Sequence, residues 1–99
     1  MFLVEREPMA IIFQTHSVPD AHMKVHVTKN PGVADLFVYP VSSMGMAKGD
    51  ALWFITESRA RATTRIFLSP LAEAALIVYY VKSQAESGWR NNKQLGKSL

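Results

Sequence analysis

The feature that most restricts the fold of this 99-residue chain is a short motif that recurs along most of its length. Each copy begins with a few β-branched or aromatic residues. Two residues after the last of these there is usually a Ser or Asn, and six residues after it there is a small residue. The six copies lie 12 to 15 residues apart, and a fainter copy opens the chain. Their last extended residues are Thr15, Thr28, Val41, Thr56, Leu68 and Val81. Segments this short are unstable alone, so each copy has to bury its apolar face on others.

The first part of each copy predicts a short strand. The segments "IIFQT", "KVHVT", "FVYPV", "WFIT", "RIFL" and "IVYYV" have the residue types that a pleated, half-buried surface favours. A chance recurrence of common residues is the alternative, but six copies in one register disfavour it.

The second part of each copy predicts a helix start. Ser or Asn suits an N-cap, because its side-chain oxygen can accept a hydrogen bond from a backbone N–H of the first turn. The predicted caps are Ser17, Asn30, Ser43, Ser58 and Ser83, with Pro70 suited to the same position by its fixed φ. The predicted small packing positions are Ala21, Ala34, Ala47, Ala62, Ala74 and Ser87. The sequence therefore predicts a mixed α and β fold, a compact pseudo-repeat array of short strands alternating with one- to two-turn helices.

Length and charge predict one domain with a basic tail. The chain has room for a single core, which we place in residues 1–90 as six to seven units of about 13 residues. Residues 1–88 are electrically balanced, so the net charge of +3 comes from the last eleven residues. We predict that Trp89 plugs the end of the core and that residues 91–99 form a flexible tail.

Several classes of protein are disfavoured by composition. The chain has no Cys, which excludes disulfides, iron–sulfur clusters and thiolate zinc sites. Its longest apolar run, residues 74–81, is too short to cross a membrane. The first residues lack the basic start of a signal peptide, so a cytoplasmic location is expected.

Four segments resemble the septoil-knot domain proteins, a small family of uncharacterised bacterial proteins. They are "GVADLFVYPVSS", "ALWFITESRARA", "IFLSPLAEAALIVYYVKSQA" and "SGWR", and the resemblance covers about residues 11–90. It implies a seven-crossing torus knot, in which the chain winds around twice and neighbours in space need not be neighbours in sequence. The Ala-Asp step associated with the family is kept at Ala34-Asp35 but is absent after Ala62, Ala74 and Ser87.

No pattern of residues predicts chemistry. His22 and His26 are too far apart on a strand to share one metal ion, and the acidic residues are scattered. "GMAKG" at residues 45–49 lies in a turn and is not a phosphate loop, and no Gly-x-Ser-x-Gly elbow occurs. We therefore expect no catalytic residue, no cofactor and no metal, and a protein that is not an enzyme.

The leading functional hypothesis is a non-enzymatic scaffold or interaction protein of unusual kinetic stability, able to form a homodimer. The alternative is weak nucleic-acid binding by the basic tail and by the Arg cluster near Trp53 and Phe54, although the neutral core disfavours it. The possible contacts with a partner or nucleic acid are Arg59, Arg61, Arg65, Arg90 and Lys93. A small hydrolase with a site between units is a third hypothesis.

Overall fold

Strands and single turns alternate along the described part of the chain. The computed structural model describes residues 9–90 and residue 99. The strands are β1 (Ala10–Gln14), β2 (Met23–Val27), β3 (Leu36–Pro40), β4 (Leu52–Ile55), β5 (Thr64–Leu68), β6 (Leu76–Tyr80) and β7 (Gly88–Trp89). The three-residue 3-10 turns between them are η1 (Val18–Asp20), η2 (Pro31–Val33), η3 (Met44–Met46), η4 (Arg59–Arg61), η5 (Leu71–Glu73) and η6 (Gln84–Glu86). The first six strands confirm the strand segments predicted from the sequence.

Six of the strands close into a parallel barrel. Their order around the ring is β4-β1-β5-β2-β6-β3, and β3 pairs with β4 to complete it. The short β7 adds to β3 in the antiparallel sense. The described residues contain no α-helix. The mixed α and β class predicted from the sequence is therefore wrong, because single 3-10 turns replace the expected helices.

The stagger of the strands explains why helices are not needed. The first half of β1, up to Ile12, pairs with β4, and its second half, from Ile12 onward, pairs with β5. Gln14 at the end of β1 and Met23 at the start of β2 both pair with Ile66 of β5. The end of β1 and the start of β2 therefore lie at the same height along the barrel axis. Parallel strands usually need a crossover of a dozen or more residues. Here residues 15–22 suffice to join β1 to β2.

The connections β1–β2, β2–β3, β4–β5 and β5–β6 each cross over one strand from another part of the sequence, whereas the connection β3–β4 joins two strands that pair with each other. Thr15 and His22, at the two ends of the first connection, donate their backbone N–H groups to Ile66 and Arg65 of β5 at 2.8 and 2.7 Å. The chain thus passes outside β5, and no residue of the six 3-10 turns is buried. In the same way β2 and β3 flank β6, and β4 and β5 flank β1. The prediction that neighbours in space need not be neighbours in sequence is confirmed.

The barrel interior is filled by side chains from the middle of each strand. These side chains are at most 3% exposed, and they are Ile12, Val25, Val38, Trp53, Ile66 and Val78. A second buried layer toward the amino-terminal end contains Ala10, Leu36, Thr64 and Leu76. A six-stranded barrel is narrow enough for side chains to fill it. Each fully buried Leu, Ile or Val contributes roughly 1.5–3 kcal/mol relative to an exposed one.

The amino-terminal end of the barrel is closed around Asp50. The backbone N–H of Leu99 donates to Oδ1 of Asp50 at 3.1 Å, and Nε1 of Trp89 donates to Oδ2 at 3.3 Å. The backbone carbonyl of Asp50 accepts from Nε1 of Trp53 at 2.7 Å. Trp89 packs against the core as predicted, and Leu99 is 3% exposed. The flexible tail predicted for residues 91–99 stays a prediction, because residues 91–98 lie outside the described residues.

Candidate interaction surface at the carboxyl-terminal mouth

The predicted caps occupy the N-cap positions of the 3-10 turns. The side chain of Asn30 accepts a hydrogen bond from the Gly32 N–H at 3.0 Å. The capping prediction fails for the four serines, Ser17, Ser43, Ser58 and Ser83, whose side chains make no capping hydrogen bond in the described structure. A three-residue turn is closed instead by backbone bonds, such as Asp20 N–H to the Ser17 carbonyl at 3.1 Å.

Threonine hydroxyls contribute the side-chain hydrogen bonds at these corners. The hydroxyls of Thr15, Thr28 and Thr56 accept from the backbone N–H groups two residues further on, at 3.0 to 3.2 Å. These are the last extended residues of the sequence motif. The sequence pattern thus locates the corner, but at the corners of Ser17 and Ser58 the side-chain hydrogen bond comes from the preceding Thr and not from the predicted Ser.

Each strand end is fixed to the strand that the chain then crosses or pairs with. The residues after the six strands donate backbone N–H groups to strand carbonyls at 2.8 to 2.9 Å, and they are Thr15, Thr28, Val41, Thr56, Ser69 and Val81. In the fifth unit this residue is Ser69 and not Leu68, because that unit is one residue shorter before Pro70. Leu68 instead ends β5 and is 41% exposed.

The small positions end the 3-10 turns. Ala21, Ala34, Ala47, Ala62, Ala74 and Ser87 are the C-cap residues, and each donates its backbone N–H to the first residue of its turn. Ala34 and Ala47 are buried, and the others are partly exposed. The next residue often bonds to the crossed strand, as Thr63 N–H does to the Ile11 carbonyl at 2.8 Å. A small side chain therefore lies where the connection meets that strand.

In three units the residue after the small position has a polar side chain that accepts a hydrogen bond from the crossed strand. The sequence pattern does not predict this contact. Oδ2 of Asp35 accepts from the Ile77 N–H at 3.0 Å, and Nδ1 of His22 accepts from the Arg65 N–H at 2.8 Å. Oγ1 of Thr63 accepts from the Ile11 N–H at 2.9 Å. Asp, His and Thr fill the same role in different units, so the Ala-Asp step is one form of a broader pattern. A comparison of the units by the ability of this side chain to accept a hydrogen bond, and not by residue identity, would have shown the pattern.

Two of the predicted nucleic-acid contacts are engaged by Asp20. Nε of Arg59 donates to both carboxylate oxygens at 3.1 and 3.0 Å, and Arg59 also pairs with Oδ1 through Nη2. Nε of Arg65 donates to the Asp20 carbonyl at 2.9 Å and lies 3.3 Å from Oδ1. The hydrogen bond from Arg59, followed by that from Thr15, lowers the pKa of Asp20 to about 2. The structure thus brings Arg59 and Arg65 together around an acid.

The other predicted contacts are dispersed. Arg61 is exposed in η4, and the described residues give it no ion pair. The guanidinium of Arg90 lies over the ring of Phe37, 4.6 Å from its centroid. Lys93 is outside the described residues. The four predicted positions that the structure describes therefore do not form one basic surface.

A largely apolar ring surrounds the carboxyl-terminal mouth of the barrel. We call it the carboxyl rim and define it by the inward-facing residues at or near the strand ends, Gln14, Val27, Pro40, Ile55, Leu68 and Tyr80. They alternate in phase with the buried central residues, so they point toward the barrel axis but beyond the packed core. Ile55, Leu68 and Tyr80 are 48%, 41% and 37% exposed. The barrel mouth is therefore uncovered in the described structure.

The rim is continuous with the core on one side. The ring of Tyr80 meets the ring of Trp53 edge to face, with centroids 6.3 Å apart. Burial raises the pKa of the Tyr80 phenol, so it stays protonated. Next to the rim, between β1 and β4, lies an open depression of about 430 Å³ lined by Phe13, Gln14, His16, Ile55, Thr56 and Glu57. The mouth thus combines exposed apolar side chains with adjacent polar groups.

Charged residues surround the rim unevenly. Glu57 follows β4, and Lys29 and Lys82 follow β2 and β6; all three are exposed. In the ring, β2 is three places from β4 and therefore opposite it, while β6 is next to β2. His16 follows β1, the neighbour of β4. The mouth therefore has an acid on one side and two lysines on the other.

A barrel circled twice by one chain, with connections passing outside the strands of the other circuit, is an architecture of the knotted proteins. The model of the 7(1) septoil knot domain family matches residues 9–90, and the chain belongs to this family. The family resemblance found in the sequence is thereby confirmed. No curated protein and no solved structure shows a significant match to the chain.

The described residues contain neither a helix suited to span a membrane nor a cluster of metal ligands. None of the helical segments in this part of the chain has the length and apolar character that a membrane span requires. Among residues 9–90 and 99, no three His, Asp or Glu side chains are grouped as metal ligands.

Proposed function

We propose that this chain is a non-enzymatic interaction protein that binds a protein surface through the carboxyl rim. The observation that carries the proposal is the exposure of Ile55, Leu68 and Tyr80 around the barrel mouth. Contiguous exposed apolar side chains mark interaction sites, particularly where polar groups surround them. An apolar centre within a charged margin is also the usual anatomy of a protein interface.

The barrel offers the rim as a rigid surface. Backbone hydrogen bonds of 2.8 to 2.9 Å hold the residue after each of the six strands, so the rim residues are fixed before a partner arrives. Pre-organisation reduces the ordering cost of binding. A threaded barrel is also expected to unfold slowly, which supports the proposal of unusual kinetic stability in a cytoplasmic scaffold.

Nucleic-acid binding is the less supported alternative. Two of its predicted cations, Arg59 and Arg65, already pair with Asp20, which offsets their attraction for phosphate. Phosphate contacts would give binding that weakens steeply with salt. A titration of the chain with single-stranded DNA and RNA at 20 to 200 mM salt therefore separates the two functions, and we expect no salt-dependent binding.

Hydrolysis is not favoured by the groups in the depression. His16 and Glu57 line it together, but the neighbouring Thr56 hydroxyl accepts the N–H of Ser58 at 3.0 Å, as the equivalent Thr15 and Thr28 hydroxyls do at their corners. We therefore propose that Thr56 shapes the corner and that His16 and Glu57 belong to the polar margin of the rim.

The experiment for the proposal is photocrosslinking in cells. A photoreactive amino acid replaces Leu68 on the rim or, as a control, Ala72, which is exposed in η5. We expect protein adducts from position 68 that decrease when Ile55→Glu is added, and no such adducts from position 72. Equal adducts from both positions, or adducts that contain nucleic acid in place of protein, would contradict the proposal.

A further inference from the structure

We infer that the partner of the carboxyl rim is a second copy of this chain, docked mouth to mouth about a two-fold axis. The inference rests on the proposed function and names its partner. A two-fold contact uses the same patch on both copies, so the patch must complement itself. The distribution of charge around the rim meets this requirement.

The ring order determines which residues face each other. When two mouths meet about a two-fold axis, the order of strands in one copy runs opposite to that in the other. If β5 faces β5, then β4 faces β6 and β3 faces β3. This register places Glu57 of each copy opposite Lys82 of the other, giving two complementary pairs.

The same register brings apolar side chains together. Leu68 meets its equivalent near the axis, and Ile55 faces Tyr80. Each of these three side chains is more than a third exposed in the single chain. Their burial supplies attraction between the two copies.

The charges at the margin disfavour registers in which acids face acids or lysines face lysines. The register in which β4 faces β2 would also pair Glu57 with Lys29. That register sets Leu68 against Gln14, however, so burial of the apolar side chains favours the register with β5 facing β5.

The size of the rim limits the affinity. Six strand ends form a smaller surface than the roughly 800 Å² per partner of a standard interface. We therefore expect a dimer with a dissociation constant of about 10 to 100 μM, weaker at high salt because its margin is charged.

Charge exchange between two variants tests the inference directly. In Glu57→Lys alone, lysines face lysines, and in Lys82→Glu alone, acids face acids. Each variant is expected to dimerise at least about tenfold more weakly than the wild type. An equal mixture of the two is expected to form a heterodimer, because both margins are then complementary.

Sedimentation equilibrium of the full chain between 10 μM and 1 mM provides the measurement, with circular dichroism to show that each variant is folded. Arg61→Glu is the matched control, since it reverses a charge on an exposed turn and should leave dimerisation unchanged. Leu68→Glu is expected to abolish the dimer. A wild-type chain that stays monomeric at 1 mM, or a mixture that does not restore association, would overturn the inference.

The two proposals fail in different ways. If the purified chain is monomeric but rim crosslinks in cells join it to a different protein, the second-copy inference is wrong and the proposed function stands. If the chain is monomeric and the rim gives no protein adduct, both are wrong. An adduct of twice the chain mass from position 68, together with restored heterodimers, supports both.

Discussion

The two ends of the barrel are built from equivalent strand positions but differ in exposure. At the amino-terminal end, Leu36 and Leu76 are fully buried, and Leu99 and Trp89 close the opening over Asp50. At the carboxyl-terminal end, Ile55 and Leu68 point toward the same axis and remain exposed. A barrel needs apolar side chains at its closed end for stability, whereas an uncovered apolar end contributes little to folding. This difference assigns stability to the closed end and leaves the open end for the recognition that we propose.

The largest expected effect is kinetic and concerns both ends together. Because connections pass outside strands of the other circuit, neither end can open without threading movements. We expect an unfolding rate below about 10⁻⁴ s⁻¹ in water at 25 °C, at the slow end for small domains. Stopped-flow and manual-mixing fluorescence of Trp53 and Trp89 in urea, extrapolated to water, measures it.

A cut chain is the control for the kinetic prediction. A protease site inserted in η3 (Met44–Met46), the turn in the connection between β3 and β4, releases the threading when cleaved. The cleaved protein should unfold at least about tenfold faster than the uncleaved insertion variant. Reversible folding of the intact chain in milliseconds would contradict the threaded mechanism.

The next effect compares one substitution at the two ends. Leu76→Ala leaves a cavity at the closed end and should lower the free energy of unfolding by about 2–5 kcal/mol. Leu68→Ala removes the same atoms from an exposed position and should cost less than about 1 kcal/mol. Equilibrium urea unfolding, with incubation long enough to reach the same curve from both directions, compares them. Similar costs at both ends would remove the distinction between them.

A smaller effect tests how the amino-terminal end is closed. Asp50→Ala removes the acceptor of two hydrogen bonds, from Leu99 N–H and Trp89 Nε1, and should cost about 1–3 kcal/mol. Glu86→Ala, at an exposed residue of η6, is the matched control and should be nearly neutral. If Asp50→Ala also leaves the urea midpoint unchanged, the closure of this end does not depend on Asp50.

The sequence supported prediction of the strands and of the family, because β-branched and aromatic runs are local signals. It did not support the fold class. The level at which β2 begins depends on how β5 pairs with β1, and these strands are about fifty residues apart in the chain. When this stagger is not known, the connection between two parallel strands is predicted to contain a helix.

The surface was less predictable than the strands. Rim residues such as Leu68 have the same apolar character as core residues such as Ile66, and only their place along the barrel axis separates them. Leu68 was also assigned to the corner position that Ser69 occupies. The cluster of Arg59 and Arg65 resembled a phosphate site because its acid, Asp20, lies 39 residues before Arg59.

The smallest expected effect lies in the wall between the two ends and depends on pH. Arg59 and Thr15 hold the pKa of Asp20 at about 2, below its ordinary 3.8, so folding favours the ionised carboxylate. Its stabilising contribution is therefore complete above about pH 4 and is lost as the pH falls toward 2. Because Asp20 and Arg59 are solvent-accessible, the change in the urea midpoint between pH 5 and pH 2 should be modest. Asp20→Asn should remove this part of the pH dependence while changing neither the closed end nor dimerisation through the rim, and an unchanged profile would show that Asp20 does not couple folding to protons.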